Sequence, residues 1–197
     1  MTEPFRVIAA DPPWQMRDNL PGPSRGAAKN YPTLSVAELC AFRLPPLASD
    51  CHLFLWRLSS MPQEALDVIK AWGFVPKSEI VWRKQTSTGK RHFGMGRQVR
   101  LEHETCIIAT RGRPAVVAKN IRSTFDAPTG IHSEKPERFY TEIVEQLCAG
   151  PYIELFSRRL RPGWFAVGNE IGAPGAALKR GSRNAKATAY VADAVAV

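Results

Sequence analysis

The order of its apolar runs predicts that this chain is one α/β domain, a mostly parallel twisted sheet with flanking helices. Three observations carry that reading. The run from Phe5 to Ala10 suits a buried strand and stops at Asp11-Pro12-Pro13, where two residues without N–H groups cannot extend a ladder. Between Cys51 and Trp82 the pattern passes from strand to helix and back, and that succession implies a right-handed parallel crossover. A helical stretch over 132–148 then leads into two more apolar runs, Tyr152 to Phe156 and Trp164 to Val167.

Taken in order, the first strand delivers Asp11 to the mouth of the sheet, and Pro12 holds Asp11 extended. Residues 15–34 read as a loop, broken by Pro21-Gly22-Pro23-Ser24 and Gly26. Ser35 and Glu38 form a capping-box pattern, so a short helix is expected from Val36 to about Phe42. Cys51 to Arg57 reads as a second strand. Ser60 and Gln63 suggest another capping box with Pro62 in the first turn. The helix that follows should bury Ala65, Leu66, Ile69 and Trp72 and stop at Gly73. Phe74 to Trp82 is a third strand, bent near Pro76, and Glu104 to Thr110 a fourth. A short strand is possible over Ala115 to Ala118, followed by irregular loop to residue 130. In the next helix Pro136 fits the first position, and Phe139, Tyr140, Ile143, Val144 and Leu147 form the buried face. From Ala173 onward no core pattern appears, so the expected boundaries are a domain over 1–172 and a basic, Ala/Gly-rich mobile tail over 173–197.

The 197 residues suit one domain with a substantial core. No run is long enough to span a bilayer, and the N-terminus lacks a secretion-signal layout; the expectation is a soluble, cytoplasmic protein. The four cysteines are widely spaced, which argues against a zinc site or disulfide framework; no metal is expected. The net charge of +9 is unevenly placed: eight basic residues face two acidic ones between Arg83 and Arg113. A basic excess beside the mouth of the sheet suggests a phosphate-backbone partner, with Arg91, His92, Arg97 and Arg100 as contacts.

Asp11-Pro12-Pro13-Trp14 places a carboxylate, stiff carbonyl-bearing residues and an aromatic plane where ligands sit in open α/β folds. That set suits attack by the exocyclic amine of a nucleobase. Asp11 and the Pro12 carbonyl would accept the amine hydrogens, free the delocalised lone pair and stabilise positive charge growing on nitrogen. Trp14 would stack on the base, worth roughly 1–3 kcal/mol.

This tetrad resembles the catalytic motif of the MT-A70 family of S-adenosylmethionine-dependent adenine-N6 methyltransferases. The resemblance resumes at His132-Ser133-Glu134-Lys135-Pro136, continues through Tyr152 to Arg158 and ends at Gly168-Asn169-Glu170, covering about residues 5 to 171. It implies a Rossmann-like methyltransferase domain with circularly permuted motif order, chemistry first and cofactor last. It implies Asp11, Pro12, Pro13 and Trp14 as catalytic residues, and S-adenosylmethionine as cofactor. The cofactor would lie along Asp11, Pro12, Lys135, Glu154, Leu155, Phe156, Arg158, Gly168, Asn169 and Glu170. In that scheme Lys135 holds the methionine carboxylate and Glu154 accepts both ribose hydroxyls. Glu170 stands where many relatives carry Gln. Trp14, Tyr31 and Glu104 would face the target base; Glu102 is the alternative to Glu104, and Tyr31 otherwise anchors its loop.

The implied reaction is N6 methylation of adenine in nucleic acid, with DNA favoured. The alternatives are RNA methylation, an inactive nucleic-acid-binding partner subunit, and N4-cytosine methylation. Nucleic acid is the expected partner, together with a second copy or a related subunit.

Overall fold

A computed structural model describes residues 3–15, 33–94, 98–130, 134–168, 171 and 188–189. The elements in chain order are β1 (Phe5–Ala10), α1 (Val36–Ala41), β2 (Leu47–Arg57), α2 (Pro62–Ala71), β3 (Val75–Gln85), β4 (His103–Arg111) and β5 (Thr124–Pro128). A π-helical turn (Phe139–Val144) then runs into α3 (Glu145–Leu147), followed by β6 (Tyr152–Leu155), β7 (Trp164–Val167) and the two-residue β8 (Thr188–Ala189).

The strands form one sheet in the order β5-β3-β4-β2-β1-β6-β7-β8. Pairing is parallel everywhere except around β4, which runs antiparallel to both β2 and β3. The expected crossover from β2 to β3 thus joins strands of the same direction, but β4 lies between them. The sheet is mixed, and the three helical segments expected are present but shorter.

Alternation along the strands splits the core in two. Ile8, Ala10, Leu53, Leu55, Ile107, Ala109, Ile153 and Leu155 face α1 and α2. Val7, Ala9, Phe54, Trp56, Ile80, Trp82 and Cys106 face the π-helical turn through Phe139, Tyr140, Ile143 and Val144. A register shift between Phe5 and Val7 lets Phe5 join the first group, edge-on to Phe165.

Several local expectations are met. Ser35 and Glu38 make a reciprocal capping box at α1. Gly73 ends α2 at φ +80°, where a Cβ would be strained. The bend near Pro76 is a register shift between Pro76 and Ser78.

Others are corrected. The cap of α2 is Met61, with no side-chain bond; Met61 N–H closes a turn on the Leu58 carbonyl, which leaves Ser60 too far upstream, and Gln63 bonds Asp67 instead. Val68, not Leu66, fills the buried stripe of α2; Leu66 is exposed. Residues 115–118 form no strand. The loop expected after them holds β5, whose Phe125 and Ala127 point into the core beside β3. The helix after Pro136 becomes a π-helical turn.

Candidate active site

The register of the central strands sets Ala10 beside Leu155 and Leu155 beside Val167. Asp11, Phe156 and Gly168 therefore leave the sheet side by side at its carboxyl edge, where α/β folds place their ligands. Since Val7 and Ala9 face the π-helical turn, a period of two sends Asp11 to the same side. Glu154 follows the same rule, because its neighbours Ile153 and Leu155 face α1 and α2.

The tetrad is a tightly bonded turn. Trp14 N–H donates to the Pro12 carbonyl at 2.8 Å, and Leu34 N–H to the Pro13 carbonyl at 2.8 Å. Gln15 N–H in turn reaches the Leu34 carbonyl. The Trp14 ring is buried in the core, and its indole N–H donates to the Trp56 carbonyl at 3.1 Å. This corrects the expectation of a stacking face: burial and an internal hydrogen bond make Trp14 the anchor of the turn.

Lys135 joins distant parts of the chain. Its ammonium lies 2.6 Å from Asp11 Oδ2 and 3.1 Å from Glu104 Oε2, and 5.3 Å from the centre of the Trp56 ring. Lys84 holds the other Glu104 oxygen at 2.6 Å. Between the two acidic candidates of the basic stretch, the structure brings Glu104 to Asp11, while Glu102 pairs outside with Arg91. The reason is register: Glu104 lies opposite Trp82 on the inner face, and Glu102 precedes the strand.

Burial dominates the electrostatics of this cluster. It raises the Asp11 pKa, and attraction to Lys135 lowers it again without cancelling the rise. Burial also acts to raise Glu104, yet Lys135 and Lys84 together hold it below the ordinary carboxylate range. Desolvation would lower Lys135, but Asp11 and Glu104 outweigh it and its pKa is raised. The lysine is a fixed cation between two acids.

A second network surrounds Glu154. Tyr140 Oη donates to Glu154 Oε1 at 2.5 Å, Ser157 Oγ to Oε2 at 3.0 Å, and Arg161 Nη2 lies 3.5 Å from Oε2. A carboxylate offers about four lone-pair sites, so roughly one remains. The expectation that Glu154 takes both ribose hydroxyls is corrected accordingly: without displacing a partner it can accept one. Phe156 follows with φ 61°, an uncommon conformation for a side-chain-bearing residue. At Gly168 a Cβ would fall 1.9 Å from the Ser157 carbonyl oxygen. Only glycine lets the chain after β7 approach the turn after β6 so closely.

Asp11, Lys135, Glu154, Phe156 and Arg158 line one cleft. Leu155 is a fully buried strand residue facing α1 and α2, so its side chain does not reach the cleft. Pro12 is buried and Pro13 half-buried. His92 and Arg100 lie on the β3–β4 hairpin with Arg91, which is pinned by contacts of Arg91 with Gln85 and Gly94 with Leu101. This hairpin extends from the catalytic edge, since β4 begins beside the carboxyl end of β2. Tyr31, Arg97, His132, Asn169 and Glu170 lie outside the described residues. Sequence reasoning left Arg161 ambiguous and assigned nothing polar to Tyr140; both are buried and tied to Glu154. The only signal was an aromatic with a hydroxyl on a helix face beneath an acidic strand residue.

The cleft's chemistry fits an S-adenosylmethionine-like group. It offers an aromatic side chain, two cations and a carboxylate with an open lone pair, and these are complementary to a nucleoside that carries an amino acid.

The MT-A70 family profile matches residues 5–170. The chain is 31% identical over 182 residues to the N(6)-adenosine-methyltransferase MT-A70-like protein of Drosophila melanogaster, covering 85% of this chain and 27% of that protein. Against the human N(6)-adenosine-methyltransferase catalytic subunit METTL3 the identity is also 31%, over 85% of this chain and 28% of the relative. With the type II methyltransferase M.MunI of a Mycoplasma species it is 29%, over 85% and 78%. The chain thus spans about a quarter of the length of the first two relatives and most of the third. With the motif order, the shared cleft and a match across 5–170, this chain belongs to the MT-A70 family.

Proposed function

We propose that the protein transfers a methyl group from S-adenosylmethionine to the N6 amino group of adenine in nucleic acid, DNA more than RNA. The observation that carries this reading is the position of Asp11. The tetrad carboxylate opens into the same cleft as Lys135, Glu154, Phe156 and Arg158. Adenine fits that cleft because its amine has two hydrogens to give. DNA is favoured because a relative of which this chain covers 78% is a type II methyltransferase. The N(6)-adenosine-methyltransferase titles of the longer relatives support RNA as the second reading.

S-adenosylmethionine, when bound, supplies an electrophilic methyl on a sulfonium. Glu154, Phe156 and Arg158 would hold it, with Lys135 lining the same cleft from its place between Asp11 and Glu104. The protein's own work is positioning and electrostatics. Asp11 accepts one amine hydrogen and balances positive charge on the nitrogen as it is alkylated. The Pro12 carbonyl already accepts Trp14 N–H, yet its second lone pair remains for the other hydrogen. Because Lys135 holds Asp11 before the amine arrives, the amine competes with it for the carboxylate. Glu104 keeps the displaced ammonium in place, itself held by Lys84. In a duplex the base must leave the stack to reach this depth. The β3–β4 hairpin, with Arg91, His92, Arg97 and Arg100, tracks the backbone, and recognition falls to this loop, to residues 15–34 and to a second copy or related subunit.

The direct test is tritiated-methyl transfer to matched single- and double-stranded DNA and RNA, followed by nucleoside analysis. The expected product is N6-methyladenine, in DNA above RNA. N4-methylcytosine, or no transfer to any of the four, would overturn the reading.

A further inference from the structure

Arg161 stands on the turn between β6 and β7 and is only 4% exposed. Its guanidinium carbon lies 3.5 Å from the centre of the Tyr140 ring. One terminal nitrogen pairs with Glu137 and the other lies 3.5 Å from Glu154 Oε2. Tyr140 in turn donates to the other Glu154 oxygen. Three side chains close a ring and Glu137 is tied to its outer end: Glu137 fixes one arm of Arg161, the Tyr140 face supports its plane, and Tyr140 and Arg161 grip opposite oxygens of Glu154. A planar guanidinium meets all three at once, which an ammonium cannot do.

We propose that Arg161 is the positioning residue that keeps Glu154 ionised and rotationally fixed, so that its remaining lone pair points into the cleft as a hydroxyl acceptor for the cofactor. This rests on the proposed cofactor site and adds the group on which its affinity turns. Arg161 borders the cleft beside Glu154 and Tyr140, but both of its terminal nitrogens are engaged by carboxylates, so its effect on the cofactor passes through Glu154.

The electrostatic setting makes a cation necessary. Burial raises the Glu154 pKa, with Arg161 the strongest opposing influence. From the π-helical turn only the neutral Tyr140 phenol reaches it. The β6–β7 turn brings Ser157 and, more distantly, Arg159, which is itself engaged by Glu134 and Glu137. Across the cleft Lys135 is committed to Asp11 and Glu104, and Arg158 opens onto the same space. Without Arg161 no other cation is within ion-pair distance of Glu154 among the described residues. The carboxylate would then take up a proton at higher pH and turn from acceptor to donor.

The experiment is calorimetric binding of S-adenosylmethionine and S-adenosylhomocysteine by the full chain between pH 5.5 and 8.5, with thermal melts alongside. Arg161→Gln should weaken binding at least tenfold at pH 6.5. The loss should narrow as pH rises, because burial favours the protonated carboxyl and Arg161 is the main influence against it, and Arg161→Lys should restore part of the affinity. In turnover, KM for the cofactor should rise while kcat stays within about threefold. Glu137→Gln, at the half-exposed outer end of the ring, guards against a folding defect in the arginine variants: it should weaken binding about two- to fivefold with little change in melting temperature. A uniform loss at all pH values, unchanged affinity in Arg161→Gln, or Arg161→Gln and Arg161→Lys behaving alike would overturn the inference while the cofactor site stands. Failure of the unaltered protein to bind either nucleoside would overturn both.

Discussion

Lys135 donates to Asp11 at 2.6 Å across 124 positions of chain. The contact ties the turn after the first strand to the segment entering the last helical stretch, and the cleft lies between them. It also gives the tetrad carboxylate a counter-ion whose attraction opposes the rise in pKa that burial imposes on Asp11.

Asp11→Ala should remove the acceptor and leave Lys135 paired with Glu104. Turnover should fall by at least about a hundredfold, the scale expected when a preorganised electrostatic partner is lost. Far-ultraviolet circular dichroism and much of the cofactor affinity should persist. Residual turnover within a few-fold of the unaltered protein would count against the proposed role of Asp11.

Lys135→Ala has a different signature, because it strands the Asp11 carboxylate in a partly dry site while Glu104 keeps only Lys84. Breaking a buried pair by deleting one partner costs about 3–5 kcal/mol, and the partial opening of Asp11 to the cleft puts this case at the lower end. A lowered melting temperature and weaker cofactor binding should appear together. Chemical denaturation and calorimetry measure the two effects, and loss of binding without any loss of stability would break the link between them.

Trp14 shows how far the sequence could be read. Asp-Pro-Pro-Trp located the turn and its carboxylate, and the order of apolar runs placed β1, β2, β3, β4, β6 and β7. The sequence did not say whether the indole faces ligand or core, because that depends on Trp56 bringing a carbonyl to its N–H from 42 positions away. β5 escaped notice for a related reason: its five residues end on Pro128 and carry only Phe125 and Ala127 as inward positions, too few to establish a period. Glu104 and Glu102 were indistinguishable by spacing, and strand register separated them. Arg161 reads in the sequence as either surface charge or a phosphate contact, because its partners, Glu137, Tyr140 and Glu154, are 24, 21 and 7 positions away in the chain.

Since Trp14 is an anchor, Trp14→Phe should act on stability more than on chemistry. The smaller ring leaves a cavity and the Trp56 carbonyl loses its donor, the latter at a cost of about 1–3 kcal/mol for a buried unsatisfied group. KM for nucleic acid should change less than threefold. A large rise in that KM with unchanged melting temperature would return Trp14 to the role of stacking partner.

The acid side of the pH–rate profile should report Asp11. Its ionised form is the acceptor, and burial raises its pKa, so kcat should decline at a pH above the ordinary aspartate value of about 3.9. Lys135→Ala removes the main opposing attraction and should move the decline higher still. For stability the sign differs. The folded pKa of Lys135 is raised, so its stabilisation is complete below its unfolded value of about 10.4 and is lost as pH climbs through the folded one. The lysine enters acid unfolding through Glu104, whose pKa it helps hold below the ordinary carboxylate range, so that part of the stability is lost as pH falls through the folded Glu104 value.

The β3–β4 hairpin should govern backbone affinity. Arg91 is 82% exposed, and its pairing with Glu102 at 3.3 Å is a surface contact worth little, so phosphate can recruit it at small cost. Reversing the charge of Arg91 and Arg97 to Glu should weaken nucleic-acid binding similarly across sequences. It should also flatten the dependence of log affinity on log salt by about one to two, since each lost phosphate contact removes close to one released counter-ion. Cofactor binding, seated on the other elements around Glu154, should be unchanged. Fluorescence anisotropy with a labelled duplex from 50 to 300 mM salt measures both quantities. An unchanged slope would move the backbone contact away from this hairpin, to the basic residues beyond Ala173.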